Sequence, residues 1–174
     1  MGVAFEVLPS NIDESVRPGE SPEDYVLRMA REKAEAVARQ RPQRLVLAAD
    51  TSVILGNEIL GKPTDAADAT RMLRSLSGKS HRVLTAMALE GLSRAQRVVE
   101  TTVHFDVLTE AQIRWYLETQ EPFDKAGAYA VQGLGALFLR RLEGSPSNVV
   151  GLPVAELAQL LIEVGWPVAW APGV

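Results

Sequence analysis

Lysine is scarce in this chain and stands where an anion would need it. Only four of the 18 basic residues are lysines, and three of these fall in short segments of unusual composition. Lys33 interrupts an apolar helical stripe, Lys62 sits in Gly61-Lys62-Pro63, and Lys125 opens the run Lys125-Ala126-Gly127-Ala128-Tyr129. A lysine ammonium is a compact point charge suited to a single phosphate oxygen, whereas the arginine fork suits bidentate pairing. A chain that uses arginine elsewhere and lysine at these places points to polyphosphate chemistry.

Asp50 is the sharpest carboxylate. It follows the five apolar residues 45–49 and precedes another apolar run after only Thr51 and Ser52. A carboxylate at the end of a buried strand needs a pair, a hydrogen bond or a metal. Ligands of α/β sheets gather at carboxyl ends of strands, where this reading puts Asp50. A helix-capping role is the structural alternative, but a hairpin pattern follows. Lys33 shares a helical face with Met29, Ala30 and Val37, which fits either an inward-pointing ammonium or a snorkelling stem at the stripe's edge. Glu14 lies in a loop and by itself is an ordinary surface acid. In 124–133 small residues permit close backbone approach, while Lys125, Tyr129 and Gln132 supply polar groups. The segment 145–148, with Ser147 and Asn148, leads into a helix and could offer amides to an anion.

The elements that must position these groups are legible as patterns. Phe5, Val7 and Pro9 read as a short strand entering a loop. Ser21-Pro22-Glu23-Asp24 starts a helix whose apolar face is Val26, Met29, Ala30, Ala34 and Val37. Residues 45–49 read as a buried central strand, and 53–60 as a hairpin turning at Gly56-Asn57. A second helix starts at Thr64 or Asp65, buries Ala69, Met72, Leu73 and Leu76, and stops at Gly78. Strands follow at 81–89 and along the alternation Val99, Thr101, Val103, Phe105, Val107. Thr109 and Gln112 form a capping box; Phe138 and Leu142 belong to a late strand, and Pro153 opens a last helix ending at Gly165. Strands and helices interleave over 1–174, the pattern of a single α/β domain.

Composition narrows the function. The chain has 174 residues, a net charge of −4, no cysteine and two histidines. This excludes a thiol nucleophile or disulfide framework and disfavours a nucleic-acid or anionic-membrane surface. No apolar run approaches the ~18 residues of a membrane span and no signal peptide opens the chain, so a cytoplasmic location is expected. His81 and His104 lack metal-ligand spacing and read as strand residues. There is neither a Walker A loop nor a Rossmann glycine fingerprint.

Taken together, residues 11–14, 30–34, 48–51, 61–63, 76–78, 124–133 and 147–153 resemble, in order, the motifs of the Maf family of nucleoside triphosphate pyrophosphatases. The resemblance spans the chain from about Phe5 to Gly165. It implies an inosine-triphosphatase-like fold with a mixed, twisted sheet flanked by helices, and hydrolysis to a nucleoside monophosphate and pyrophosphate. It further implies Asp50 as general base, with Glu14, Lys33 and Lys62 catalytic beside it. Asp50 and Glu14 would hold a divalent cation, Mg2+ with Mn2+ or Co2+ as alternatives. Thr51, Lys125, Gln132 and Ser147 would bind substrate, and the assembly would be a homodimer. Thr51 after Asp50, together with Gln132, resembles the branch acting on dTTP and UTP rather than on 7-methyl-GTP.

One departure bears on these expectations. The family carries a first strand and a Ser-x-Ser-Pro-Arg-Arg segment ahead of the part matched by Phe5-Glu6-Val7. Without them the expectation is an exposed sheet edge and one arginine contact fewer. That leaves a second functional reading beside the enzyme: an impaired nucleotide-binding regulator of septum formation.

Overall fold

Ser21 accepts a hydrogen bond from the Asp24 amide at 3.1 Å, and Pro22 follows in the first turn. Helix α1 (Pro22–Ala38) therefore starts where its orphan amides are met and its φ angle is preset. It buries Tyr25, Val26, Met29, Ala30, Ala34 and Val37. The computed structural model describes residues 2–170.

Five strands form one sheet: β1 (Leu45–Leu55), β2 (Glu58–Leu60), β3 (Ser80–Gly91), β4 (Ala95–Phe105) and β5 (Leu139–Glu143). Their order is β2-β1-β3-β4-β5, and each neighbouring pair is antiparallel. Short turns join β1 to β2 and β3 to β4, so those pairs run antiparallel. Helix α2 (Ala66–Leu76) then returns the chain to place β3 antiparallel to β1. The mixed sheet expected from the resemblance is thus antiparallel throughout its described pairings, within the expected α/β class. Helix α3 (Glu110–Glu118) carries the capping box, with Gln112 N to Thr109 Oγ1 at 3.2 Å and Thr109 N to Gln112 Oε1 at 2.8 Å. Helices α4 (Pro146–Val150) and α5 (Val154–Glu163) close the described fold.

The two faces of the sheet bury different partners. On one, α1 packs on Val46, Ile54, Leu84, Ala86 and Ala88. On the other, α2, α3 and the 3-10 turns pack on Val53, Val83, Val103 and Phe105, while α5 covers Met87 and Leu89. Because strand side chains alternate, β3 is apolar on both sides and buried along nearly its whole length.

Five local expectations are corrected. Phe5 and Val7 form no strand and are 84% and 81% exposed, because no sheet edge pairs with them. Residues 45–49 are a strand but not a fully buried one. Leu47 faces solvent, for β2 pairs only with Val53, Ile54 and Leu55 and leaves the earlier part of β1 with one ladder neighbour among the described residues. Asp50 lies in the middle of β1, not at its carboxyl end; Thr51 and Ser52 continue the ladder opposite Thr85 and Leu84. Phe138 sits in a 3-10 turn rather than a strand, and β4 ends at Phe105, leaving Val107 exposed.

Candidate active site

Alternation along β1 sends Asp50 towards α1 and Thr51 towards the opposite face, so one strand serves two groups of side chains. On the α1 side, the Lys33 ammonium donates to Asp50 Oδ1 at 2.7 Å and meets Glu14 Oε1 at 2.9 Å. The stripe of α1 explains the placement. Ala30, Ala34 and Val37 are buried, and Lys33, one helical turn from each of Ala30 and Val37, follows them inward. Its stem is largely covered, as is Asp50, while Glu14 is more than half exposed.

Glu14 is presented by the segment preceding α1, which α1 itself anchors. Tyr25 donates its hydroxyl to the Glu14 carbonyl at 2.9 Å, and Arg28 donates to the Ser15 carbonyl at 2.9 Å. The same guanidinium grips Glu20 (Nη2 to Oε2, 2.7 Å) and holds that carboxyl down at about 2 by direct hydrogen bonding. The buried, bidentate pair fixes the loop that delivers Glu14.

The charges in this cluster are set by competing effects. Burial pushes the Asp50 carboxyl above its ordinary range, although the Lys33 hydrogen bond pulls the other way. Burial alone would lower Lys33, but hydrogen bonds to Asp50 and Glu14 outweigh it and keep the ammonium protonated. The result is a carboxylate more basic than usual, oriented by a permanent cation. That is the state a general base for water requires.

The other side of β1 opens on a cavity of about 280 Å3 lined by Thr51, Lys62, Lys125, Tyr129 and Gln132, among others. Two backbone features assemble it. Gly127 adopts φ +69°, and a Cβ there would lie 2.9 Å from the Val53 side chain, so only glycine lets this turn rest on β1. The Gly127 amide also donates to the Gly61 carbonyl at 3.0 Å, which ties the Lys125 turn to the Lys62 loop. Lys125 pairs with the exposed Asp124 at 2.8 Å. Lys62 has no carboxylate within salt-bridge distance among the described residues.

Thr51 is already engaged: its hydroxyl lies 2.8 Å from that of Thr85, and Thr85 donates to the Asn148 carbonyl at 3.1 Å. Asn148 is fully buried and donates to the Val83 carbonyl and Thr101 Oγ1, both at 2.9 Å, so it pins α4 against the sheet. Ser147 is not on the cavity wall, which Val149 and Val150 reach instead. Its hydroxyl accepts from the Val154 amide at 3.1 Å and caps the start of α5. Below the cavity His81 Nε2 lies 2.8 Å from the Tyr129 hydroxyl, and burial lowers His81 to about 4, so it is neutral.

Seven of the eight residues expected at the site therefore fall into two groups on opposite faces of β1. Glu14, Lys33 and Asp50 lie on the α1 face and Lys62, Lys125 and Gln132 at the cavity; Thr51 lines that cavity with its hydroxyl engaged, and Ser147 stands aside. Sequence reasoning passed over His81 and Glu121 as site supports. Neither carries a motif signal; only tertiary packing joins them to the 124–133 turn. Among the described residues no three His, Cys, Asp or Glu side chains are grouped to hold a metal. Among the described residues no helix is long and apolar enough to cross a membrane.

The family described as Maf-like protein matches residues 1–164. A dTTP/UTP pyrophosphatase of Anaeromyxobacter dehalogenans is 55% identical, covering 98% of this chain and 88% of its own length. Proteins of the same name from Shewanella oneidensis (53% identical; 92% of this chain, 85% of theirs) and Myxococcus xanthus (49%; 98% and 87%) are also similar. With the match running through every segment that builds the two groups, the chain belongs to the Maf family.

Proposed function

We propose that this protein hydrolyses nucleoside triphosphates, with dTTP and UTP as substrates, to the monophosphate and pyrophosphate. The observation that carries the reading is the Lys33–Asp50–Glu14 cluster, 2.7 and 2.9 Å across its two contacts, with a cavity edged by two further lysines on the other side of β1. The relatives' shared name supports the choice of substrate.

In this mechanism Asp50 accepts the proton of the attacking water, whose oxygen bonds to phosphorus as the α–β phosphoanhydride bond breaks and pyrophosphate leaves. Lys33 holds Asp50 in place and offsets its charge. Lys62 and Lys125 meet the phosphate oxygens, where preorganised cations act on developing charge. Gln132, whose amide both donates and accepts, suits a uracil or thymine edge.

Asp50 and Glu14 fit a divalent cation. Two carboxylates that already converge on one cation offer the hard oxygen donors of a Mg2+ site completed by waters and phosphates. Mn2+ or Co2+ accept similar donors. Such an ion supplies neutralisation of the triphosphate when bound. A homodimer in the cytoplasm is the assembly and location this reading carries forward from the family resemblance.

Pyrophosphate release by the wild-type chain and by Asp50→Asn tests the proposal. Turnover of dTTP by the first and not by the second is expected. Equal turnover by both would remove Asp50 from its role.

A further inference from the structure

Behind the loop that bears Gln132 lies a carboxylate with no solvent-facing task. Glu121 accepts the Leu134 amide through Oε2 at 2.9 Å, and through Oε1 the Gly135 amide at 3.0 Å and the Tyr116 hydroxyl at 2.8 Å. Tyr116 is fully buried, and its hydroxyl also accepts the Ala130 amide at 3.1 Å. One side-chain pair therefore ties down the loop on both sides of Gln132.

The packing is close. A Cβ on Gly133 would fall 2.3 Å from Glu121 Oε2, so any side chain after Gln132 would push the carboxylate and the loop apart. The clamp is made of backbone amides and one phenol. Burial disfavours the Glu121 charge, yet the Gly135 and Leu134 amides and the Tyr116 hydroxyl outweigh it and keep the carboxyl below its ordinary range. Gln132 itself lines the cavity and makes no side-chain hydrogen bond among the described residues. Its amide is held in position only through its backbone.

We infer that Glu121 is the positioning residue for nucleobase selectivity: its carboxylate fixes the 130–135 loop so that Gln132 presents its amide to the base. This rests on the proposed nucleotide reading of the same cavity. Glutamine at 121 keeps the volume but not the pattern. Either orientation of its amide turns an NH2 towards Leu134 or Gly135, so one backbone donor always loses its acceptor.

The test measures binding of dTTP and CTP by calorimetry in the Asp50→Asn background, so that it does not depend on turnover. The variants are Glu121→Gln, Gln132→Ala, the two combined, and Gly133→Ala, which separates the carboxylate from the loop without changing residue 121. Amide exchange at Leu134 and Gly135 and the melting temperature are recorded for each. The expected result is about a tenfold loss of dTTP-over-CTP preference in both Glu121→Gln and Gly133→Ala, the size of one lost hydrogen bond. Exchange at Leu134 or Gly135 quickens with it, and the double variant loses no more preference than Gln132→Ala alone. Preserved preference in Glu121→Gln would overturn the inference, as would losses that multiply in the double variant. Should the wild type bind dTTP selectively yet release no pyrophosphate, the hydrolytic reading fails while this one stands; no nucleotide binding at all removes both.

Discussion

On the α1 side of β1, Lys33 is 18% exposed and bonded to two carboxylates; on the cavity side, Lys125 is 42% exposed and Lys62 has no ion-pair partner among the described residues. In the first group Lys33 stands on a helix and Asp50 on a strand, and Glu14 on a loop anchored to that helix by Tyr25 and Arg28. The second is carried by loops and 3-10 turns held by glycine contacts and by Glu121. The contrast fits a division of labour. A proton acceptor needs fixed geometry and a shifted pKa, whereas phosphate and base recognition need cations and amides free to meet a ligand.

The sharpest way to break this comparison is Asp50→Asn. It should lower kcat by about 10²–10⁴-fold, the usual worth of a general base, while the KM for dTTP and the melting temperature change little. A parallel collapse of stability would mean Asp50 is a structural charge instead. Next in size is Lys33→Met, which leaves Asp50 and Glu14 facing each other without their shared cation. Its kcat should fall by about 10-fold or more, and the acid limb of its pH–rate profile should move to higher pH, because the ammonium no longer favours the ionised Asp50. An unmoved limb would separate Lys33 from the base.

On the cavity side, Lys62→Ala and Lys125→Ala should act on KM rather than kcat, each raising it about tenfold at low ionic strength and less in high salt. Effects confined to kcat would instead join these lysines to the α1-side group. For the wild type, activity should fail on the acid side as Asp50 is protonated, at a pH above that of an ordinary aspartate. The smallest effect concerns His81 beneath the cavity. Its folded pKa of about 4 lies below the ordinary 6.5, so between these values the unfolded chain binds a proton that the folded one excludes. Stability should therefore be level above pH 6.5 and decline below it by up to about 1.4 kcal/mol per pH unit. A decline absent from that window would mean that the ring is charged in the folded protein.

Much of the fold was legible because local chemistry and tertiary packing agree. Ser21-Pro22, the Thr109–Gln112 box and the Gly56-Asn57 turn each declare an element boundary, and the structure places them there. Phe5 and Val7 misled because alternation marks a strand only if an edge is there to pair with it. Asp50 was read as a strand end because three polar residues in a row suggest a break. Here Lys33 meets the first and the Thr85–Asn148 bonds support the second, so β1 runs on. Lys33 was ambiguous from periodicity alone, since an inward lysine and a snorkelling one share the same spacing. The contacts to Asp50 and Glu14 come from residues 17 positions later and 19 earlier, and no local pattern encodes them. Glu121 was invisible for the same reason, as its partners are mostly backbone amides across a loop.

The most direct test of the central claim, that both faces of β1 act on one triphosphate, is product analysis with Mg2+. Wild type and Asp50→Asn would each be offered dTTP, UTP, CTP, ATP, GTP and 7-methyl-GTP. Monophosphate and pyrophosphate in equal amounts are expected from dTTP and UTP, much less from the others, and almost none from the variant. Release of inorganic phosphate in place of pyrophosphate, or turnover that survives the loss of Asp50, would contradict that claim.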